Sequence, residues 1–356
     1  MGSSFVSSAS RLPPAEWRGG GGQKGNAGPE HAGGDRDIAK MREIHAKEYQ
    51  QLAGELGGIL DRTKDERIRI YCRARLELSK ETVAVLDSAL ARKDDRQATD
   101  AALKVMHYSR MQGDFLNTSI AFLLEVEEDT LSSQDGNGTG TGQIITVRSD
   151  LNKSRKAIAE HLAPAILEMN TMLAHYKKAS GMPPPVKSEI QVVPKAESPT
   201  GIQKAGDGTS LEGLRQEYAK FSEVLNRKIE MMLRTTKGER VAALCQARLD
   251  LAKEILALLD SAIARKDDKK ATERALVEYR YLRMKGDLLN RADALVAELD
   301  RSPAGTESGQ GNIKGSSAST DIELTKSRGL IADHLDAAVS EMDAFLALYR
   351  KTAVSK

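Results

Sequence analysis

Apolar positions recur at three- and four-residue steps over long stretches of this chain, the spacing of a helix with one buried face. Leu214, Tyr218, Phe221, Leu225 and Ile229 predict an amphipathic helix over 211–234, and similar spacing predicts one over 37–60. A second stripe runs through Val241, Cys245, Arg248, Ala252, Ile255, Leu259 and Ile263, with one charged interruption, and through Ile68, Cys72, Arg75, Ser79 and Leu86. The segment "ARKDD" ends these helices with basic residues and offers Asp95 or Asp268 as a cap for the next helix. So short a turn predicts antiparallel neighbours. A third helix carries Tyr281, Met284, Leu288, Leu295 and Leu299 on one face.

The pattern is written twice. "YCRARLELSKETVAVLDSALARKDD" at 71–95 matches "LCQARLDLAKEILALLDSAIARKDD" at 244–268, and "KSRKAIAEHLAPAILEMNTMLAHYKK" at 153–178 matches "KSRGLIADHLDAAVSEMDAFLALYRK" at 326–351. Cys72 and Cys245 are 173 residues apart, as are Gly113 and Gly286, so the register holds along the copy. Each copy reads as four helices, giving an all-α chain of two repeated antiparallel multi-helix units. Its expected organisation is a disordered tail over 1–36, helical repeats over 37–180 and 211–353, and a flexible Pro-rich linker over 181–210. The stretches "SSQDGNGTGTGQ" and "RSPAGTESGQGNIKGSSAST" are expected to be disordered, and Ser198-Pro199 in the linker has the form of a proline-directed phosphorylation site.

The glycines pose a question. "YSRMQGDFLN" at 108–117 and "YLRMKGDLLN" at 281–290 both place glycine inside a helical stretch. An exposed glycine there costs about 1 kcal/mol relative to alanine, so two matching ones ask for a packing or functional reason.

Composition narrows the function. With 53 basic and 51 acidic residues, the charge nearly cancels, which excludes a nucleic-acid partner held by bulk charge. No apolar run approaches the roughly 20 residues of a membrane span. Two cysteines imply a reducing compartment, so the expected location is cytoplasmic, with nuclear or organellar placement as the alternatives. The start "MGSSFVSSASRLPPAEWRGGGG" lacks the apolar core of a secretion signal, and Val6 stands where a myristoylation signal wants Ser or Thr. Its Ser-rich, acid-poor composition has a transit peptide as its other reading.

Chemistry-bearing residues are sparse. Cys72 and Cys245 sit on apolar stripes as small core residues. His161 and His334 lack ligating partners at helical spacing, and no phosphate loop, zinc spacing or Ser/His/Asp grouping stands out. The expectation is no enzyme, no cofactor and no metal.

The residues around the glycine carry more. Arg280, Arg283, Lys285 and Arg291, with His107, Arg110 and Gln112 in the first copy, lie on a helix whose other face is apolar. Positions 280, 283, 287 and 291 share a face, so Asp287 is placed to pair with Arg283 and Arg291. Such a row reads either as a solvated face or as one wall of a groove for an acidic or phosphorylated peptide.

"RYLRMKGDLLNRADALVAE" resembles the glycine-bearing helix of the 14-3-3 family, which reads Tyr-Leu-Lys-Met-Lys-Gly-Asp before two aromatics and an Arg-Tyr pair. "RLDLAKEILALLDSAI" is similar to the family's preceding helix, and Ser154 to Glu168-Met169 keeps the spacing of the following one. The resemblance covers roughly half of each copy. It implies antiparallel helical layers, close helix packing at the glycine and a peptide-binding adaptor. The family's groove arginine falls on Asn117 and Asn290, and its tyrosine on Thr118 and Arg291, so its phosphate pair is absent. The resemblance places Arg110 and Arg283 at a basic groove position of the family and Arg291 as a displaced phosphate contact; with the residues around them, the peptide-binding candidates are Arg110, Asn117, Arg283, Lys285, Asn290 and Arg291.

The expected function is therefore a 14-3-3-like adaptor holding a peptide or helix of a partner protein, phosphorylated or not. Tandem copies would place two grooves in one chain and raise effective concentration for a partner with two motifs. The alternative is a purely structural scaffold or oligomerisation protein, in which repeats pair within or between chains.

Overall fold

The structure is a computed structural model of the 356-residue chain, describing residues 34–92, 95–134, 142–179, 210–236, 238–301 and 317–354. Ser198-Pro199 and most of the expected tail, linker and disordered loops lie outside the described residues, but 34–36, 132–134, 142–143, 301 and 317–320, expected to be disordered, are helical: neighbouring helices extend into them. Among them all regular structure is helical: α1 (Gly34–Leu60), α2 (Glu66–Ala91), α3 (Arg96–Gln134), α4 (Gly142–Ala179), α5 (Leu211–Thr235), α6 (Glu239–Ala264), α7 (Lys269–Arg301) and α8 (Ser317–Val354).

The capping signals act as the sequence suggests. Asp95 and Asp268 each accept a hydrogen bond at 3.0 Å from the amide three residues on, at Ala98 and Ala271, which satisfies an otherwise orphaned donor at the start of α3 and α7. Ser210 does the same for Gly213 at the start of α5. No helix of the described residues is long and apolar enough to cross a membrane.

The chain divides into two compact units. One contains α1, α2, α3 as far as Asn117 and the end of α4 from Met172; the other contains the remainder of α3 and α4 with α5 to α8. In the first unit α1 packs on α2, and Tyr108 stacks on Tyr176 at 5.2 Å. In the second, α5 packs on α6, α6 on α7 and α7 on α8. The stripe of α6 is buried from Val241 to Leu259, Arg248 included. Phe221 is a correction: expected on the inward face of α5, it is 38% exposed, because that face runs instead through Tyr218, Ser222 and Ile229.

Contacts recur at matching places in the two copies. Arg42–Asp87 and Arg215–Asp260 tie the first helix to the second, at 2.7 and 2.8 Å. Lys177–Glu81 and Arg350–Glu254 tie the fourth to the second. Within the second unit the contacts are also reciprocal. Ser154 donates to Glu341 at 2.5 Å, and Ser327, the counterpart of Ser154, donates to Glu168, the counterpart of Glu341, at 3.0 Å. The two hydrogen bonds link α4 to α8 at matching positions of the copies.

Candidate functional site: a buried arginine beneath a helical glycine

The glycines of α3 and α7 make room for arginines of α2 and α6. A Cβ added at Gly113 would stand 3.0 Å from Nε and Cζ of Arg75, and one at Gly286 would overlap Nη1 of Arg248. The close approach at the glycine is thus between a helix backbone and a guanidinium, a more specific reason than the general helix packing implied by the family resemblance. One turn further on, Asn117 accepts from Arg75 Nε at 3.2 Å, and Asn290 accepts from Arg248 Nε at 2.6 Å. Glycine and asparagine, four residues apart on one face, together hold the guanidinium. Arg248 is only 5% exposed. A buried charge is costly unless its donors are met, which is what the asparagine supplies in part.

Around the part-buried Arg75 and the buried Arg248 the surroundings differ. In the first unit Arg110 lies 3.9 Å from Glu48 of α1, and Glu48 also meets His45 Nδ1 at 3.1 Å. Burial raises the Glu48 carboxyl, but the His45 hydrogen bond and the charges of Arg110 and Arg75 hold it below the usual range. Burial lowers the Arg75 guanidinium against the opposing charges of Asp114 and Glu48.

In the second unit aromatic rings replace that carboxylate. Arg283, the counterpart of Arg110, has its Cζ 6.0 Å from the Tyr279 ring centroid, and Tyr218 meets Tyr279 edge-on at 6.0 Å. Phe221, the counterpart of Glu48, lies beside Tyr218 at 5.8 Å. Burial lowers Arg248, opposed by Tyr218 and Asp287. It also lowers Arg283, but there Tyr279 and Asp287 outweigh it and the guanidinium is raised.

The six candidate residues therefore part company. Asn117 joins Arg75, while Arg110 joins Glu48 beside it. Asn290 and Arg283 gather around Arg248. Lys285 turns to α8 and pairs with Asp343 at 2.5 Å, its side chain 13% exposed. Arg291 is partly buried on α7, one residue beyond Asn290. Arg280, read as part of the same row, turns inward to the buried carboxylate of Glu125.

That carboxylate centres a second cluster. Glu125 accepts from the Tyr281 hydroxyl at 2.6 Å and pairs with Arg155 Nε at 2.9 Å, and Arg155 Nη1 reaches Asp129 at 2.7 Å. Tyr281 packs edge-on against Phe345 at 4.7 Å. The network joins α3, α4 and α7 inside the second unit. Sequence reasoning missed it; its signal was a lone acid within the apolar run "FLLEV" and an arginine after the repeated "KS".

Cys72 and Cys245 are buried free thiols, both pushed up to about 12 by burial, with Asp293 adding to the effect at Cys245. They are core residues with no thiolate at neutral pH. No group of three or more metal-ligating side chains gathers among the described residues. No family model matches the chain, nor does any curated protein or solved structure.

Proposed function

We propose that the chain is a non-enzymatic, 14-3-3-like interaction protein built from two degenerate repeats, binding a peptide or helix of a partner protein. The partner segment is acidic or phosphorylated. Arg110 and Asn117 mark the groove in the first repeat; Arg283, Lys285, Asn290 and Arg291 mark it in the second. The reading rests most on one observation: each copy brings two guanidiniums, Arg75 with Arg110 and Arg248 with Arg283, to the glycine-bearing helix. Two like charges in a partly desolvated setting repel, and an anion relieves that repulsion while accepting from planar donor forks.

A second reading has its own support. Arg75 and Arg248 already hydrogen-bond to Asn117 and Asn290, as they would in a purely structural scaffold.

Fluorescence anisotropy separates the two. A labelled degenerate phosphoserine/phosphothreonine peptide pool, with its dephosphorylated form as control, is titrated with the chain at low and moderate salt. The adaptor reading expects salt-sensitive binding that is lost in an Arg283→Glu, Arg291→Glu variant. Binding of neither pool supports the scaffold.

A further inference from the structure

The two copies of the arginine site differ at one decisive position. In the first, α1 supplies Glu48, which sits 3.9 Å from Arg110 and within the field of Arg75. A carboxylate is what an anionic partner would bring, and here the chain provides it. In the second copy the same position, 173 residues on, is Phe221, and the His45 position is Tyr218. Asp287, near Arg248 and Arg283, has its own counterpart in Asp114 and so does not distinguish the copies; Tyr218 and Tyr279 also favour the two charged guanidiniums, and Glu217, where the first copy has Ile44, acts on Tyr279. Phe221 is 38% exposed and its ring lies beside that of Tyr218.

We infer that the copies are functionally unequal: the Arg248–Arg283 site is open to an anionic side chain, whereas the Arg75–Arg110 site is closed by Glu48 acting as a built-in carboxylate. This deepens the adaptor reading and rests on it. A phosphate or a carboxylate satisfies the same donors, and the flanking ring favours an anion carried next to an apolar or aromatic group. The chain would then present one anion-reading site, with the first copy held in a ligand-filled arrangement by its own side chain.

The test uses the full chain with 15N-labelled arginine, following the Nε–H resonances of Arg75, Arg110, Arg248 and Arg283. These are assigned by single Arg→Lys variants. Phenyl phosphate and phenylacetate are the probes. The expected result is that Arg248 and Arg283 shift in the wild type while Arg75 and Arg110 do not, and that Glu48→Gln makes the latter pair respond at least tenfold more strongly. Glu48→Ala serves as a second opening variant, and circular dichroism checks that both stay folded. Response to phenyl phosphate alone assigns a phosphate; response to both assigns a general anion site. If both copies respond in the wild type, or if neither opening variant admits a probe to the first copy, the inequality is overturned and the adaptor reading stands. If no arginine responds in any variant, the adaptor reading falls and the inequality with it.

Discussion

Arg248 occupies the space that a side chain at position 286 would fill, and its Nε donates to Asn290 one turn beyond that glycine. The relationship couples a residue of α6 to one of α7 through an absent Cβ. Gly286→Ala should therefore lose stability although alanine is worth about 1 kcal/mol more than glycine in a helix. Displacing the guanidinium breaks a buried, charge-assisted hydrogen bond worth roughly 1.5–3 kcal/mol, so a net loss of about 1 kcal/mol is expected in urea unfolding. In an Arg248→Met background the same substitution should become neutral or stabilising. A cost unchanged by that background would mean that the glycine answers to something else.

Gly113 gives the milder case. Its added Cβ would lie 3.0 Å or more from the Arg75 guanidinium, so a small movement accommodates it. Gly113→Ala is expected to be within about 0.5 kcal/mol of wild type, helix propensity offsetting the crowding. Thermal melting of the two alanine variants side by side checks the difference.

Removal of the central carboxylate of the second cluster should be severe. Glu125→Gln leaves the buried Arg155 and the part-buried Arg280 without their shared counter-charge. Breaking a buried ion pair in this way costs about 3–5 kcal/mol, read as a lowered denaturation midpoint. A loss below about 1 kcal/mol would show that Asp129 alone suffices for Arg155.

Glu48 carries a pH dependence whose sign is fixed. Its carboxyl is held below the usual value in the folded chain, so its contribution is present above the unfolded carboxyl range near pH 4 and fades as pH falls through the folded value. Glu48→Gln should thus be less stable than wild type at pH 7, with the gap closing toward pH 3. Urea midpoints across that range give the comparison, and a gap that widens on acidification would contradict the assignment.

The thiols supply a prediction without stability. Held at about 12, Cys72 and Cys245 are neutral at pH 8 and buried, so iodoacetamide should modify the native chain far more slowly than the urea-unfolded one. Equal rates would place one of them at the surface.

Much of the architecture was legible because helical periodicity and capping act locally. The first helix of each copy, the Asp95 and Asp268 caps and the all-helical class follow from spacing and residue type alone. What could not be read was where long side chains go. Arg248 appeared as one charged break in an apolar stripe, and nothing local linked it to a glycine 38 residues later. The basic row on α7 looked like one face, yet Arg280, Arg283 and Lys285 end on Glu125, Tyr279 and Asp343. A helical wheel fixes the direction in which a side chain leaves the helix; it does not fix which element receives it. Phe221 likewise fitted the inward spacing of α5 and lies outside it.

The most direct measurement of the central claim, that the arginine site of the second copy reads an anionic partner segment, is anisotropy of the labelled phosphopeptide pool against three chains. These are the wild type, Arg283→Gln, and Lys253→Gln, whose exposed cation on α6 pairs with Asp250. The account predicts binding by wild type and Lys253→Gln and at least a tenfold loss in Arg283→Gln. Equal binding by all three, or by none, would contradict it.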